Sequence, residues 1–566
     1  MAFDYDFVIV GSGFGGSVNA LRLAAAGKRV LVLERGRWWR PPSDTPINLD
    51  QFPPDATPYP RTPEDPWYWS PQDPQKYNGW VEFHFWPGMA VATGAGVGGG
   101  SLIYANVSTV PPRNTFESGW PAGVDWYNTL QPYYDTAGVM LNVQQLPDNQ
   151  LTARYQLVKE GAEAIGDGDR FGKLDIAVTF SEQYPRTPED PFDNSNTFPW
   201  VNAFGRHQGT CVHCGNCDVG CQVLAKNTLD LNYLAAAQQA GAAIQAMTQV
   251  SHVAPEEGGY RVYFDVIDAE MQTLTPGSVS GEQVILAAGS LGSTEILLRS
   301  RDQYGTLPEV SSVLGNDWSS NGDYLTFAFY KDREPPPSPT WGPTITCHIN
   351  YLEDVEGPQY TIEDGGVPPA GRNWLVQTLT AAEHDVPLPV KVMLEHLVKR
   401  ITNDDEAARF MPWFANGRDA SNGRLFLNGK EELTLDWNVT DSIPVFDAEI
   451  NRQIQLAEAT GGEAHVPLAW KWFKWIITPH PLGGSPMGET VQDGVVDQYG
   501  RVFNYEGLYV SDGSIIPKAI GINPSRTIAA VSERIAYYIL NPDERQDAQK
   551  IQVPGIFDPA QVPAGS

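Results

Sequence analysis

The sequence predicts an α/β fold, and three neighbouring segments near its start predict it. Residues 7–10 are a continuous apolar run ended by a glycine, which is typical of a parallel strand buried on both faces. Residues 17–26 are rich in Ala and Leu and stop at Gly27, as a helix with a glycine C-cap does. Residues 29–33 are a second apolar run, so strand, helix and strand follow one another as a βαβ unit.

The same α/β character returns at two later places in the chain. Residues 284–289 are another buried strand that ends in glycine, and residues 506–540 combine a short apolar strand with a helix from about residue 525. Between these segments lie residues 111–204 and 311–474, which are aromatic, interrupted by loops and, in the second stretch, rich in strand formers. The pattern predicts a second layer at residues 311–474, after which α/β character returns at residues 506–540.

The composition restricts the classes of function. The chain has 566 residues with 38 Lys and Arg against 68 Asp and Glu, a formal net charge of −30. A polyanion would repel such a surface, so we expect no nucleic-acid partner. No apolar run approaches the roughly 18 residues of a membrane-spanning helix. The first residues lack a basic and then apolar leader, which favours the cytoplasm and leaves export with a signal-bearing partner open.

A glycine-rich loop joins the first strand to the first helix. Gly11, Gly13 and Gly16 match G-x-G-x-x-G, in the strand–loop–helix context that this motif requires. Gly11 allows the tight turn, Gly13 lets the backbone approach a pyrophosphate, and Gly16 lets helix and strand pack closely. Glu34 ends the second strand, where an acid binds a ribose diol. An acid there disfavours the 2′-phosphate of NADP, but the loop alone does not distinguish FAD from NAD.

Further glycine-rich segments favour a bulky, flat ligand. Residues 94–102 offer nearly bare backbone, since five of the nine are glycine. Asp512 and Gly513 follow a short apolar strand, and residues 521–524 precede the last helix. At this point the sequence resembles the glucose–methanol–choline (GMC) flavoprotein oxidoreductases, and more narrowly their bacterial, cholesterol-oxidase-like branch. The segments that carry the resemblance are the N-terminal glycine loop and residues 96–101, 288–295, 480–484, 512–513 and 523–524.

The resemblance implies the architecture of the whole chain. It implies a Rossmann-like FAD-binding domain that is discontinuous, with an inserted α+β substrate domain built on an antiparallel sheet. We expect the FAD domain to comprise residues 1–45, 85–110, 205–310 and 475–545. The substrate domain would comprise residues 46–84, 111–204 and 311–474, and residues 546–566 would form a tail.

The resemblance also implies how FAD would lie. The residues expected at its ADP half are Gly11, Gly13, Phe14, Gly15, Gly16 and Glu34, with Val250 near the adenine. The residues expected at the flavin end are Gly98, Gly99, Gly100, Ser101, Asn106, Asp512 and Gly513.

His480 is the strongest candidate for a catalytic base. It lies between two prolines that restrict the backbone, and glycines follow that let a ligand come close. An imidazole titrates near neutrality and can accept an alcohol proton as hydride leaves the carbon. Asn523 could donate its amide to the same oxygen. The alternative for His480 is a core histidine bonded to backbone. Relatives that isomerise steroids also use a substrate-domain Glu, which the sequence does not place.

Cys211, Cys214, Cys217 and Cys221 have the C-x2-C-x2-C-x3-C spacing of bacterial ferredoxins, although Gln and not Pro follows the last one. The spacing makes them candidate ligands of an iron–sulfur cluster. Zinc is less natural at these spacings, and disulfides are disfavoured in a cytosolic chain. Reduced structural thiols in a tight loop are the remaining alternative. A cluster would favour a dehydrogenase over an oxidase.

Three functions therefore stand at this point. The first is FAD-dependent oxidation of a hydrophobic or cyclic secondary alcohol, with O2 or another carrier (a protein or a quinone) as electron acceptor. The second is a sugar or polyol dehydrogenase with the same chemistry, which Asn416, Arg418, Asp419 and Arg424 would favour if they face the flavin. The third is a flavin electron-transfer protein without an alcohol site. The aromatic run at residues 470–475 alternates as a half-buried strand does, either in the core or beside a substrate.

Overall fold

The structure, a computed structural model, describes residues 3–62, 64–183, 193–369 and 404–545, together with 388, 391, 392 and 395. Within these residues, seven strands form the first sheet, in the order β11-β2-β1-β14-β13-β12 with β23 paired to β14. Strands β11, β2, β1, β14 and β23 run parallel, whereas β13 and β12 continue the sheet antiparallel. The strands are β1 (Tyr5–Val10), β2 (Val30–Leu33), β11 (Ala243–Gln245), β12 (Thr248–Glu256), β13 (Gly259–Asp268), β14 (Thr273–Leu286) and β23 (Leu508–Val510).

A second sheet is built from the inserted segments. Its six described strands are antiparallel neighbours in the order β21-β15-β18-β17-β16-β8. They are β8 (Phe171–Lys173), β15 (Tyr324–Phe329), β16 (Cys347–Asn350), β17 (Tyr360–Asp364), β18 (Phe410–Gly417) and β21 (Glu463–His465).

A third sheet combines strands from two distant parts of the chain. Its described strands are β5 (Tyr68–Trp69), β6 (Val81–Trp86), β7 (Met89–Gly94) and β22 (Ile476–Thr478), and β22 is followed directly by the segment that holds His480. Three two-stranded ribbons complete the described strands: β3 (Trp39–Arg40) with β4 (Thr57–Pro58), β9 (Trp200–Val201) with β10 (His207–Gln208), and β19 (Arg424–Leu427) with β20 (Leu433–Asp436).

Helices cover both large sheets. They are α1 (Phe14–Ala25), α2 (Trp126–Met140), α3 (Ala153–Ile165), α4 (Tyr233–Gln239), α5 (Gly289–Leu298), α6 (Asp404–Ala408), α7 (Ile443–Ala459), α8 (Leu468–Phe473) and α9 (Ser525–Leu540). A buried ion pair joins α1 to α9, since Arg22 Nε lies 2.6 Å and Nη2 2.8 Å from the carboxylate of Glu533. The ion pair thereby fixes α9 to α1.

The α/β fold class and the second, antiparallel sheet are confirmed. The first strand and helix lie where the apolar pattern puts them, and Phe7 to Val10 are at most 4% exposed. The prediction of a strand at residues 470–475 is wrong. Residues Leu468–Phe473 form α8, which buries Trp470 and leaves Trp472 76% exposed. The alternation of aromatic and polar side chains at residues 470–472 does not distinguish a short helix from a strand.

The division into domains stays a prediction. Ile47, Phe52, Tyr59 and Trp80, which we assigned to the substrate domain, lie in the same buried apolar cluster as residues of β1 and α1. The expected tail at residues 546–566 lies outside the described residues. Among the described helices, none has the length and apolar character needed to cross a bilayer.

Candidate active site

A cavity of about 740 Å³ extends from the first glycine loop to the segment around His480. The first sheet supplies one end, through the carboxyl ends of β1, β2 and β14. This is the edge at which open α/β sheets bind ligands. The second sheet supplies a wall of apolar side chains at the other end. These are Leu325, Phe327, Phe410, Pro412 and Phe414, and Trp475 joins them from beyond α8.

The glycines of the first loop serve two different purposes. A Cβ on Gly15 would lie 1.6 Å from the carbonyl oxygen of Ser511, and one on Gly16 would lie 2.0 Å from that of Gly11. Gly11 has a φ of +96°, and its Cβ would lie 2.4 Å from the oxygen of Ala287. Gly13 differs, because a Cβ there would meet nothing nearer than the Cα of Gly99, at 4.0 Å. Three glycines therefore allow backbones to pack, and Gly13 leaves space that a ligand can use.

Glu34 lies on the cavity wall and is only 5% exposed. Its carboxylate accepts hydrogen bonds from the backbone N–H of Ser12 (3.0 Å), the Ser12 hydroxyl (2.7 Å) and the N–H of Gly36 (2.9 Å). A carboxylate offers about four acceptor positions. These bonds hold the side chain in place and leave acceptor capacity for one more donor.

The second glycine loop touches the first. A Cβ on Gly99 would lie 2.6 Å from the Cα of Gly13, and Gly100 borders the cavity with nothing within 4 Å of its own Cβ position. Ser101 does not line the cavity; its hydroxyl donates to the oxygen of Gly98 (2.7 Å) and accepts from the N–H of Leu229 (3.1 Å). Ser101 therefore stabilises the loop from behind.

Asn106 carries an unexplained polar group. Its backbone is left-handed, with a φ of +71°, and its side chain is fully buried. Neither the oxygen nor the nitrogen of its amide has a hydrogen-bond partner among the described residues. Buried amides are nearly always bonded, so a group that the protein chain does not supply is expected there. Asn106 itself is not among the residues that line the cavity, and neither are Gly16 and Gly98.

The remaining residues expected at the cofactor all border the cavity. Phe14 and Val250 lie toward the first sheet, and Asp512 and Gly513 follow β23. Asp512 is fully engaged within the protein. It accepts from the N–H of Gly289 (2.9 Å), the Ser293 hydroxyl (2.6 Å) and the N–H of Ser514 (2.8 Å). Burial nonetheless raises its pKa. The carboxylate thus fixes the start of α5 beside the cavity.

His480 borders the cavity and is oriented by a buried carboxylate. Its Nδ1 lies 2.9 Å from Oδ1 of Asp323, which is fully buried and immediately precedes β15. The Thr478 hydroxyl lies 2.6 Å from the other oxygen of Asp323 and also accepts from the His480 N–H. Burial raises the pKa of Asp323, and His480 opposes that shift by favouring the anion. A proton on Nδ1 facing this carboxylate leaves Nε2 as the acceptor.

Asn523 borders the cavity too, and it contacts a residue that the sequence did not reveal. Its Nδ2 lies 3.4 Å from Oε2 of Glu363, on β17. Glu363 is completely buried, and its Oε1 has no hydrogen-bond partner among the described residues. Burial raises the pKa of Glu363 well above its usual range, as do the nearby carboxyls of Asp364 and Asp323. No local pattern marks this residue, because only the pairing of strands places it beside Asn523.

The residues that would have favoured a sugar lie elsewhere. Asn416, Arg418, Asp419 and Arg424 are not among the residues that line the cavity. Asp419 accepts from the hydroxyls of Ser319 (2.7 Å) and Ser320 (2.8 Å), and Arg418 donates to Asn114 (2.8 Å) and Thr115 (2.6 Å). The contacts of Arg418 and Asp419 are those of a structural turn.

Comparison with known proteins identifies the family. Residues 5–302 and 469–532 match the N-terminal and C-terminal models described as GMC oxidoreductase. A cholesterol oxidase from Acinetobacter baumannii is 31% identical over 95% of this chain and 94% of its own. The chain belongs to the GMC oxidoreductase family. It is an FAD-dependent oxidoreductase that acts on alcohols.

Two less similar proteins also align with nearly the whole chain. The fructose dehydrogenase large subunit of Gluconobacter japonicus is 24% identical over 95% of this chain and 98% of its own. The crystal structure of pyridoxine 4-oxidase from Mesorbium loti superposes with a TM-score of 0.57 over 95% of this chain and 99% of the other, at 16% identity. The second likeness shows that the fold of that structure extends over 95% of this chain.

The residues present fit the cofactor of GMC oxidoreductases, which is FAD. Gly13 and Gly100 leave open backbone on the cavity, where a pyrophosphate and a flat ring system need close approach. Glu34 retains an acceptor position suited to a ribose hydroxyl. The unpartnered amide of Asn106 is the orphaned polar group that such a ligand, or water around it, would satisfy.

The four clustered cysteines do not form a metal centre as arranged. All four are free and line one small cavity of about 10 Å³, which is at the lower limit for a single water. Among the described residues, no group of three or more His, Cys, Asp or Glu could hold a metal ion. Burial raises the pKa of the Cys211, Cys214 and Cys217 thiols.

Gly13→Ala tests the open position on the first loop. We expect the variant to fold, because a Cβ there has space, but to lose FAD affinity by at least about tenfold, or ~1.4 kcal/mol, because the methyl group occupies the approach to the pyrophosphate. Gly429→Ala is the control, since its Cβ would also meet nothing within 4 Å, outside the cavity. Titration of the deflavinated proteins with FAD measures both. Equal affinity of the two variants would contradict this use of Gly13.

Proposed function

We propose that the protein oxidises a hydrophobic secondary alcohol to a carbonyl, with His480 as the base. The observation that carries the proposal is the pair formed by His480 Nδ1 and the buried carboxylate of Asp323, 2.9 Å apart at the wall of an apolar cavity. With the ring proton on Nδ1 facing Asp323, Nε2 can serve as the proton acceptor at the cavity. An electron-transfer protein without an alcohol site would have no use for it.

We propose that FAD lies along the cavity in the direction expected from the sequence. Gly11 to Gly16 and Glu34 would hold the ADP half, with Val250 at the adenine. Gly99, Gly100 and Gly513 would face the flavin. Ser101 and Asp512 would hold in place the loops to which these glycines belong. When bound, the flavin supplies a hydride acceptor for the alcohol carbon.

The protein groups act on the alcohol proton and oxygen. Nε2 of His480 takes the hydroxyl proton as the carbon loses hydride, and Asp323 stabilises the imidazolium that results. Asn523 donates its amide to the alcohol oxygen and holds the charge that develops there. Phe414 packs edge-on against the imidazole, with ring centroids 6.1 Å apart, and helps to exclude water.

The apolar wall supports a hydrophobic substrate. Leu325, Phe327, Phe410 and Phe414 provide few groups that could bond to the several hydroxyls of a sugar. The polar residues that would favour a sugar are not among those that line the cavity. A sterol-like secondary alcohol therefore suits the site better than a polyol. The cholesterol oxidase relative supports O2 as the electron acceptor.

His480→Ala tests the base. We expect the variant to retain FAD and to reduce it about 10²–10⁴-fold more slowly, the usual contribution of a positioned general base. The rate is measured by anaerobic bleaching of the flavin with a panel of steroids, terpenoids, aromatic alcohols and sugars. His465→Ala is the control, because that histidine is exposed on β21, where its Nε2 lies 3.4 Å from Glu463. Flavin reduction at the wild-type rate in His480→Ala would refute the assignment of His480 as the base.

The electron acceptor is tested separately. Repeating the assay of the wild-type protein with the best substrate in air shows whether O2 accepts the electrons.

We further propose that Glu363 moves a proton on substrates with a suitable double bond. Glu363 is a buried carboxyl with one unpartnered oxygen, and burial raises its pKa, which makes its carboxylate a stronger base. If oxidation leaves a double bond β,γ to the new carbonyl, the Glu363 carboxylate removes the proton from the carbon between them, and the carboxyl so formed returns it to the far carbon. The bonds rearrange to the conjugated ketone with no net oxidation.

Glu363→Gln separates the two activities. With cholesterol, or with the best homoallylic alcohol of the panel, we expect near-normal oxidation and at least about a hundredfold slower conjugation, since the amide cannot act as a base. Chromatography of both ketones gives the two rates. Glu449→Gln is the matched control, because Glu449 is also fully buried without hydrogen-bond partners among the described residues but lies on α7. Unchanged conjugation in Glu363→Gln would remove Glu363 from this role.

The cysteine loop gives a further expectation for the purified protein. After anaerobic purification we expect no iron and no acid-labile sulfide, and four additional reactive thiols beside Cys347 once the chain is unfolded. The geometric reason is the cavity of about 10 Å³ that the four thiols share. Iron and sulfide in amounts comparable to FAD would contradict this arrangement and favour a dehydrogenase.

A further inference from the structure

The cavity borders a carboxyl group that the proposed chemistry does not use. Asp218 follows Cys217 in the chain, is half-buried and lines the cavity. The Thr344 hydroxyl donates to its Oδ1 at 3.2 Å, and Thr344 lines the cavity as well. A carboxylate is costly to take out of water unless polar groups are bound to it. Its place in the wall of a largely apolar cavity therefore calls for a partner.

Backbone contacts place Asp218 beside the apolar wall of the second sheet. A Cβ on Gly366 would lie 3.0 Å from the Cα of Thr344, the residue that is bonded to Asp218. A Cβ on the preceding Gly365 would lie 2.4 Å from the carbonyl oxygen of Pro412 on β18. All of these residues line the cavity. Asp218 thus borders the part of the cavity that is proposed to hold the hydrophobic substrate.

The same wall leads from Asp218 to the alcohol site. Phe414 packs edge-on against His480, and Pro412 precedes Phe414 by two residues on β18. A strand rises about 3.4 Å per residue, so the wall is about 7 Å long between Phe414 and Pro412. Asp218 lies beyond the Pro412 end of that stretch. A substrate that reacts beside His480 would meet Asp218 with a remote part of its skeleton.

Asp218 keeps the capacity to accept further hydrogen bonds. Two cations, Lys226 and Arg154, act on it through their charge, but their N–H groups are used elsewhere. Lys226 Nζ donates to three backbone carbonyls, at 2.6–2.9 Å. Arg154 is paired with Asp364 at 2.7 Å. The bond from Thr344 uses one of about four acceptor positions of the carboxylate, so a donor in the cavity finds positions open.

We propose that Asp218 binds a second hydroxyl group of the substrate, remote from the alcohol that is oxidised. The inference rests on the proposed function and narrows its substrate class to hydrophobic alcohols that carry a hydrogen-bond donor at a distance from the reacting carbon. A ketone at the remote position would be rejected, because its oxygen and the carboxylate are both acceptors. Asp218 is a specificity residue in this role, since no bond changes there.

The preference for a hydroxyl depends on the charge of Asp218. Burial raises the pKa of Asp218 to about 6, whereas Lys226, the Thr344 hydroxyl and Arg154 oppose that shift. The Cys217 thiol is a further titratable group beside it. Above this pKa the carboxylate accepts from a hydroxyl, and below it the neutral carboxyl can donate to a ketone. The preference for the hydroxyl over the ketone should therefore fall as the pH decreases through about 6.

Matched steroid pairs test the site in the FAD-loaded protein. The pairs are androstenediol with dehydroepiandrosterone, pregnenediol with pregnenolone, and 7β-hydroxycholesterol with 7-ketocholesterol, which differ in where the remote oxygen lies. The ratio of kcat/KM within a pair cancels effects on His480 and on folding. We expect the wild type to favour the hydroxyl member of at least one pair by at least about tenfold, and Asp218→Asn to lose that preference, mainly through KM.

The control and the outcomes distinguish this site from the proposed function. Asp265→Asn should leave every ratio unchanged, because Asp265 lines the cavity from β13 of the first sheet. Equal ratios in the wild type and Asp218→Asn would refute the site while steroid oxidation still supported the proposed function, and a loss of FAD affinity in that variant with unchanged ratios would refute it as well. If no steroid reduces the flavin, the sterol-like substrate and this site fail together.

The wild type alone provides a second test, which does not depend on the folding of a variant. The ratio for the preferred pair is measured between about pH 5 and about pH 8, on both sides of the pKa of Asp218. A ratio that stays constant over this range would refute the role of Asp218.

Discussion

The structure depends on how closely its backbone segments approach one another at the glycine loops. Gly11 lies against the end of β14, Gly15 against Ser511 beyond β23, and Gly99 against Gly13, at distances that no Cβ would permit. These contacts join segments from the start, the middle and the end of the chain. Because one backbone carbonyl lies where a side chain would be, the parallel strands, the first helix and the second loop have a single relative position. The cavity for FAD is what remains between them.

Buried carboxyls then acquire different roles from their surroundings. Burial raises the pKa of Asp512, Asp323 and Glu363 alike. Three donors satisfy Asp512, which makes it a structural clamp. Asp323 has His480 and a threonine hydroxyl as partners, so its charge is useful to an imidazole. Glu363 has one weak amide contact and an unpartnered oxygen, which suits a group that gains and loses a proton. The environment, and not the residue type, distinguishes the three.

Local sequence was a good guide where the relevant atoms are neighbours in the chain. The glycine loop, Glu34 at the end of β2 and the helix from residue 525 could be predicted, because turn geometry and apolar periodicity are local properties. The same reasoning failed at residues 468–473, where three aromatic residues fit either a strand or one helical turn. It also left open whether Asp419 faces a ligand or a turn, and why Ser101 accompanies the glycines. In both cases the answer was a hydrogen-bond partner far away in the sequence.

The sequence by itself determined the α/β fold, the family and the dinucleotide loop, together with His480 and Asn523 as candidates. Tertiary structure alone decided what acts on those candidates. Asp323 is 157 residues from His480, and Glu363 is 160 residues from Asn523. Pairing of β15, β17 and β18 in the second sheet sets where Asp323 and Glu363 lie. The physical reason is that strand pairing and burial are long-range, so neither a carboxyl's partner nor its protonation is written in the residues around it.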